Sequence, residues 1–285
     1  VSPIQLINSS LTDTVVGILR STGLDPHRLD LEITAGSVTT LIGANGSGKS
    51  TLLKALARLL PLRAGVVRLE GTPIGTLPHR TVARRLAVLP QKPLAPAATS
   101  VRDLVMRGRH PHQSLLRPWT PADAAAVEDA LAATGLSEVA ERDVNALSGG
   151  QLQRAWIALV LAQQTPVILL DEPTTFLDLA HQLEVLRLVR RINAERGSTI
   201  VMVLHDLGLA ARFSDRLVAL RSGEIIADGT PWEVLTPAVL AAAFGVDAAV
   251  IPDPITGTPL IVPREPEPFE VAAELSDGGP IAALE

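Results

Sequence analysis

The chain has 285 residues, 47% of them hydrophobic and 2% aromatic, with a formal net charge of −5 and no cysteine. That length allows one large domain or two smaller ones with ample core, and the missing cysteines exclude disulfides and thiolate metal sites. Acidic and basic residues are interspersed and tyrosine is absent, which predicts no nucleic-acid partner and no base-stacking platform.

Residues 4–7, 15–19 and 29–33 read as short strands, the last alternating cleanly. Gly36 turns the chain into Val38-Thr39-Thr40-Leu41-Ile42, a β-branched, apolar run that predicts a buried strand. Next comes Gly43-Ala44-Asn45-Gly46-Ser47-Gly48-Lys49-Ser50, continued by Thr51, which fits G-x-x-x-x-G-K-[ST]. Residues 51–60 are good helix formers stopped by Pro61. Val66-Val67-Arg68-Leu69-Glu70, bounded by Gly65 and Gly71, alternates and suggests an antiparallel neighbour. A short helix is expected over 81–86 and a strand over 86–90, leading to Gln91.

From residue 92 to 164 the strand pattern disappears. Pro93, Pro96, Pro111, Pro118 and Pro121 punctuate a segment that otherwise reads helical, with helices over 101–106 and 121–134. Thr120 is the expected N-cap of the second and Gly135 its stop. The core resumes at Val167-Ile168-Leu169-Leu170 and runs into Asp171-Glu172. A helix with Leu179, Leu183, Leu186 and Val189 on one face then stops at Gly197. Residues 199–204 form another apolar strand ending in His205-Asp206, so a parallel strand–helix–strand unit is predicted. Residues 217–220 and 224–227, joined through Ser222-Gly223, suggest a closing hairpin.

The fold class expected is α/β: a P-loop NTPase (RecA-like) core with a mainly parallel sheet, an antiparallel β subdomain and an inserted α-helical subdomain. The core would be 1–91 and 165–263, the helical insert 92–164, and 264–285 an acidic, proline-rich, poorly ordered tail. The densest apolar run, 155–162, is far shorter than the roughly 20 residues a membrane span needs. No signal peptide is visible, so a cytosolic protein is expected, reaching the membrane through a partner.

The residue types explain the chemistry. Glycines at 43, 46 and 48 let a backbone wrap a phosphate with its N–H groups inward, at a helix N-terminus that favours an anion. Lys49 adds charge for the β- and γ-phosphates, and the Ser50 hydroxyl is placed to ligate Mg²⁺. The chain therefore binds a nucleoside triphosphate. Asp171 at a strand end can hold the Mg²⁺ shell while Glu172 polarises a water. Leu147-Ser148-Gly149-Gly150-Gln151 opens a helix and makes a second anion cradle. One triphosphate has no obvious use for two cradles of one chain, which suggests two chains facing each other.

Over about residues 30–262 these features together resemble the ATP-binding cassette (ABC) transporter ATPases, in order and spacing. The resemblance implies ATP and Mg²⁺ as cofactors, Glu172 as general base, and His205 as the residue contacting the γ-phosphate. It implies further that Gln91 meets Mg²⁺ and senses the helical insert, and that Asp178 touches the opposite protomer. The implied partners are a second copy, transmembrane permease subunits and, indirectly, a substrate-binding protein, with the chain on the cytoplasmic face of the membrane.

Gly108-Arg109-His110-Pro111-His112, Trp119, Arg154-Ala155-Trp156-Ile157-Ala158, Pro173-Thr174-Thr175-Phe176-Leu177-Asp178, Ala180-His181-Gln182 and Asp253-Pro254-Ile255-Thr256-Gly257-Thr258-Pro259 look like the iron-siderophore importers. Haem and cobalamin importers are similar. A non-transport ABC ATPase acting as an assembly scaffold is the alternative, disfavoured by the lack of coiled-coil heptads or a basic face. His79, His110 and His112 read as solvated loop residues and Trp156 as core. Two positions depart from the family pattern. Phe176 stands where a small residue is often found. Where an adenine-stacking aromatic is usual, sixteen residues before Gly36, this chain has Arg20, and residues 1–36 hold no aromatic. Either the guanidinium stacks on the base or the alignment there differs.

Overall fold

The computed structural model describes residues 4–7, 31–62, 64–93, 98–114 and 118–264. The first element is β1 (Ile4–Ile7), followed by β2 (Leu31–Ile33), β3 (Val38–Ile42), α1 (Lys49–Leu56), β4 (Val66–Leu69), β5 (Thr72–Pro73), α2 (His79–Ala83) and β6 (Leu86–Leu89). Three helices come next: α3 (Val101–Met106), α4 (Pro121–Ala133) and α5 (Gly149–Ala162). The chain then alternates through β7 (Val167–Asp171), α6 (Leu179–Arg196), β8 (Thr199–Val203), α7 (Leu207–Phe213) and β9 (Arg216–Arg221). It closes with β10 (Glu224–Gly229), α8 (Pro231–Val234), α9 (Pro237–Phe244), β11 (Ala248–Pro252) and β12 (Pro259–Pro263).

A six-stranded sheet ordered β10-β9-β3-β8-β7-β6 organises the molecule; its pairings are parallel except for the β9–β10 hairpin. Every residue of β3, β7 and β8 is buried, as parallel strands covered on both faces require. The two-residue period divides these strands between two cores. Ile168, Leu170, Ile200 and Met202 face α5 and α6, while Val167, Leu169, Val201 and Val203 face α1 and the second sheet. A single truncation such as Leu169→Ala would cost about 2–5 kcal/mol at these fully buried positions.

The second sheet is antiparallel, ordered β2-β1-β4-β5. The two alternating pieces read from the sequence, β2 and β4, share it without touching, because β1 lies between them. Residues 8–30 and 265–285 lie outside the described residues; the strand expected over 15–19, Arg20 and most of the expected tail fall there.

The helix ends follow their caps. Thr120 and Asp123 form a reciprocal capping box on α4, worth about 0.5–2 kcal/mol, and α6 stops at Gly197 with φ 62°. One expectation on α6 fails. Leu179 is 65% exposed, whereas the core-facing stripe is Val185, Leu186, Leu188, Val189 and Ile192. The first turn of α6 lies against the N-terminus of α5, with His181 packed on Gly150, and meets the core only further along.

Candidate functional site

The loop 43–50 joins the carboxyl end of β3 to α1. Gly43 sits at φ 148°, and a Cβ there would lie 2.3 Å from Leu220 O and 2.6 Å from Ser47 Oγ, so only glycine fits. The β9–β10 turn braces the loop from outside, the Gly223 amide donating to Ser47 O at 2.9 Å. Lys49, 4% exposed, curls back so that its ammonium donates to Gly43 O at 2.8 Å and Ala44 O at 2.9 Å. Burial lowers its pKa, opposed by the nearby Glu172 and Asp171 carboxylates. Ser50 Oγ donates to Asp171 Oδ1 at 2.8 Å. Asn45 and Gly46 are exposed on the crest of the loop.

Asp171 ends β7 and Glu172 follows it directly. Asp171 is 1% exposed; burial raises its pKa, partly offset by the Ser50 hydroxyl. Its Oδ2 is buried with no hydrogen-bond partner. A buried orphan carboxylate oxygen beside a serine hydroxyl suits a hard divalent cation, which takes oxygen ligands. Glu172 adopts φ 53°, a left-handed conformation that swings its side chain back over the sheet end. His205 Nε2 stands 2.7 Å from its Oε1, while Thr175 Oγ1, at 2.9 Å, and Gln91 Nε2 both donate to Oε2. Burial opposes ionisation of this carboxyl, but those hydrogen bonds outweigh it and hold the pKa below the usual carboxylate value. Gln91 follows β6 and His205 follows β8, the two neighbours of β7. Three adjacent strands thus deliver one side chain each to the same edge.

The second cradle lies at the start of α5. The Gln151 amide donates to Ser148 Oγ at 3.2 Å, and the Ser148 amide donates to Gln151 Oε1 at 3.1 Å, a complete capping box. Leu147 packs against the core and Gly150 is buried, while Ser148 and Gly149 face solvent. A Cβ on Gly150 would come within 2.3 Å of the His181 ring, and His181 Nδ1 lies 2.7 Å from Asp178 Oδ1. The His181 amide and ring hold the Asp178 carboxyl below its usual pKa. Phe176, in the same stretch, is 88% exposed at φ 66°, a strain of about 1–3 kcal/mol. Among the described residues no hydrogen bond or ion pair joins 147–151 to the phosphate loop.

Sequence reasoning quoted Thr175 and His181 only for their likeness to the importers and gave them no role; Thr175 donates to Glu172, and His181 packs on Gly150 of the second cradle. It also took His112 for a solvated residue. His112 is half-buried, its Nε2 2.8 Å from Gln163 O, and burial pushes its pKa down. The same segment carries a buried ion pair: Arg109 Nε donates to Asp123 Oδ1 at 2.8 Å, and Arg109 Nη1 donates to Ala162 O at 2.7 Å. Trp156 is buried at 8% exposure.

A loop of backbone donors on a parallel sheet, with paired acids on the neighbouring strand but one, defines a nucleoside triphosphatase of the phosphate-loop class. The chain belongs to the ABC transporter family, whose model matches residues 26–175. It is 52% identical over 235 residues to the achromobactin transport ATP-binding protein CbrD of Dickeya dadantii, covering 82% of this chain and 87% of that one. It is 47% identical over 237 residues to the ferric enterobactin transport ATP-binding protein FepC of Escherichia coli, covering 83% and 88%. Among solved structures, a dimeric ATP-binding cassette in a post-hydrolysis state bound to ADP and Pi matches with TM-score 0.65 and 26% identity, over 80% of this chain and 98% of that one. The chain is the ATP-binding and ATP-hydrolysing subunit of an ABC importer. No helix among the described residues is long and apolar enough to cross a membrane.

Proposed function

We propose that this subunit powers uptake of a ferric siderophore by hydrolysing ATP between two copies of itself bound to a transmembrane permease. The observation that carries the catalytic half is Glu172, kept ionised by donors from three strands beside the Lys49 loop. In this reading Gly43, Ala44, Asn45, Gly46, Ser47, Gly48 and Thr51 line the triphosphate with Lys49 as counter-charge. Ser50, Asp171 and Gln91 would hold Mg²⁺, which when bound neutralises charge on the phosphates. Glu172 takes the proton of the attacking water as its oxygen bonds to the γ-phosphorus and the bond to the ADP oxygen breaks. His205 orients that water and the γ-phosphate. Ser148, Gly149, Gly150 and Gln151 of the second copy close over the nucleotide, and Asp178 meets the opposite protomer. Donors preorganised around developing charge stabilise the transition state.

The segment 92–164 forms the face toward the permease, inserted in a core of 1–91 and 165–263. A substrate-binding protein feeds the permease from the other side, and this chain is peripheral on the cytoplasmic face. The cargo reading is supported by the relatives that transport achromobactin and ferric enterobactin and by the likeness of 108–112 to siderophore importers. It is tested in a deletion strain given a ferric siderophore as sole iron source. Growth should fail, recover with ferrous iron, return with the wild-type chain and stay absent with Lys49→Ala. Normal siderophore uptake with loss of haem or cobalamin use would reassign the cargo.

A further inference from the structure

Phe176 exposes 88% of its surface at a left-handed backbone position, so the fold holds an aromatic ring out in solvent where glycine would be at ease. It sits beside the second cradle: Leu177 packs next to Gly149, and His181 closes on Gly150. Wherever Ser148 and Gly150 stand over a nucleotide, Phe176 is carried along with them. On the opposite side of such a contact lies a phosphate loop, and this chain's loop has a cavity at its flank. The cavity measures about 340 Å³ and is bounded by Asn45, Gly46, Arg221, Ser222, Ala242 and Phe244. It has room for a phenyl ring. Arg221 at its wall offers a cation to an aromatic face, and Phe244 offers a second ring.

We infer that Phe176 of one protomer seats in the cavity between the phosphate loop and α9 of a second copy of this chain. The inference rests on the head-to-tail pairing proposed above. It adds a seat that α9, far from the nucleotide chemistry in sequence, contributes to the interface. The aromatic side chain then reports closure from one chain to the loop that holds the other chain's triphosphate.

The chain has no cysteine, so single cysteines test the contact directly. Phe176→Cys and Ala242→Cys, each on a differently tagged full-length chain in the Glu172→Gln background, are mixed and treated with a short bismaleimide. Sedimentation of the same samples reports dimerisation independently. A cross-link between the two tags that appears only with ATP is expected. Cross-linking of Phe176→Cys to itself, or none while sedimentation registers the dimer, overturns the seat and leaves the pairing intact. Absence of any ATP-driven dimer overturns both. A second variant separates the ring from the loop conformation. Phe176→Gly suits the left-handed backbone, so a merely structural role predicts dimerisation as good as wild type. The seat predicts that it weakens ATP-driven dimerisation by about tenfold or more, as loss of a buried aromatic anchor does.

Discussion

His205 Nε2 lies 2.7 Å from Glu172 Oε1, joining the ends of two neighbouring strands through the group proposed as general base. Glu172→Gln should keep ATP binding and lose steady-state hydrolysis by a factor of about 100 or more, the usual worth of general-base help. An ATP-bound dimer should accumulate in size-exclusion chromatography. Turnover near wild type in purified protein would remove Glu172 from that role.

Ser148 caps its own helix and still faces solvent, so a bulky cation there reaches a partner before it disturbs the fold. Ser148→Arg should leave ATP affinity of the isolated chain almost unchanged while abolishing ATP-induced dimerisation. Light scattering and nucleotide titration together decide it. Collapse of affinity in the monomer would mean that the second cradle serves its own chain.

Backbone donors to phosphate are blind to the base, and residues 1–36 carry no aromatic. ATP and GTP should therefore bind within about 100-fold of each other, roughly 2.7 kcal/mol. A larger preference in competition titrations would require another residue that reads adenine.

A Cβ at Gly108 would fall 2.2 Å from Leu159 O, on helix backbone that cannot step aside. Gly108→Ala should lose about 1–3 kcal/mol of stability. Gly75→Ala, where a Cβ meets nothing within 4 Å, should be nearly neutral. Denaturant midpoints of the two variants give the comparison.

Burial of the His112 ring lowers its pKa below the ordinary 6.5, with Arg109 and Arg84 acting in the same direction. As pH falls through that ordinary value the unfolded chain takes up the proton first, so this part of the stability is full above it and lost below. Between about pH 7.5 and about pH 5.5 the wild-type melting temperature should therefore fall further than that of His112→Gln. Equal slopes would contradict the assignment.

The parallel core was legible because strands buried on both faces have to be apolar throughout, as Val167-Ile168-Leu169-Leu170 is. The phosphate loop was legible because positive φ and close approach demand glycine at Gly43. What stayed hidden arises between elements. Thr175 reaches Glu172 only because the backbone reverses at φ 53°, and no sequence period announces such a turn. Arg109 and Asp123 carry no apolar signal, yet they are 4% and 2% exposed because each neutralises the other. Breaking that pair by removing one partner costs about 3–5 kcal/mol. Leu179 fits the helical stripe by spacing, but the first turn of α6 meets the N-terminus of α5 through His181 and leaves Leu179 largely in solvent.

The long helical excursion begins after β6 and ends at β7, and these two strands lie side by side, Leu86 opposite Val167 and Leu89 opposite Leu170. Its two stems therefore rise from one socket in the sheet. A segment mounted in this way can be exchanged for a relative's without altering the path of any other strand. A chimera built at this socket would keep its own phosphate loop and paired acids, and would take the second cradle, residues 147–151, from the relative along with the rest of the excursion.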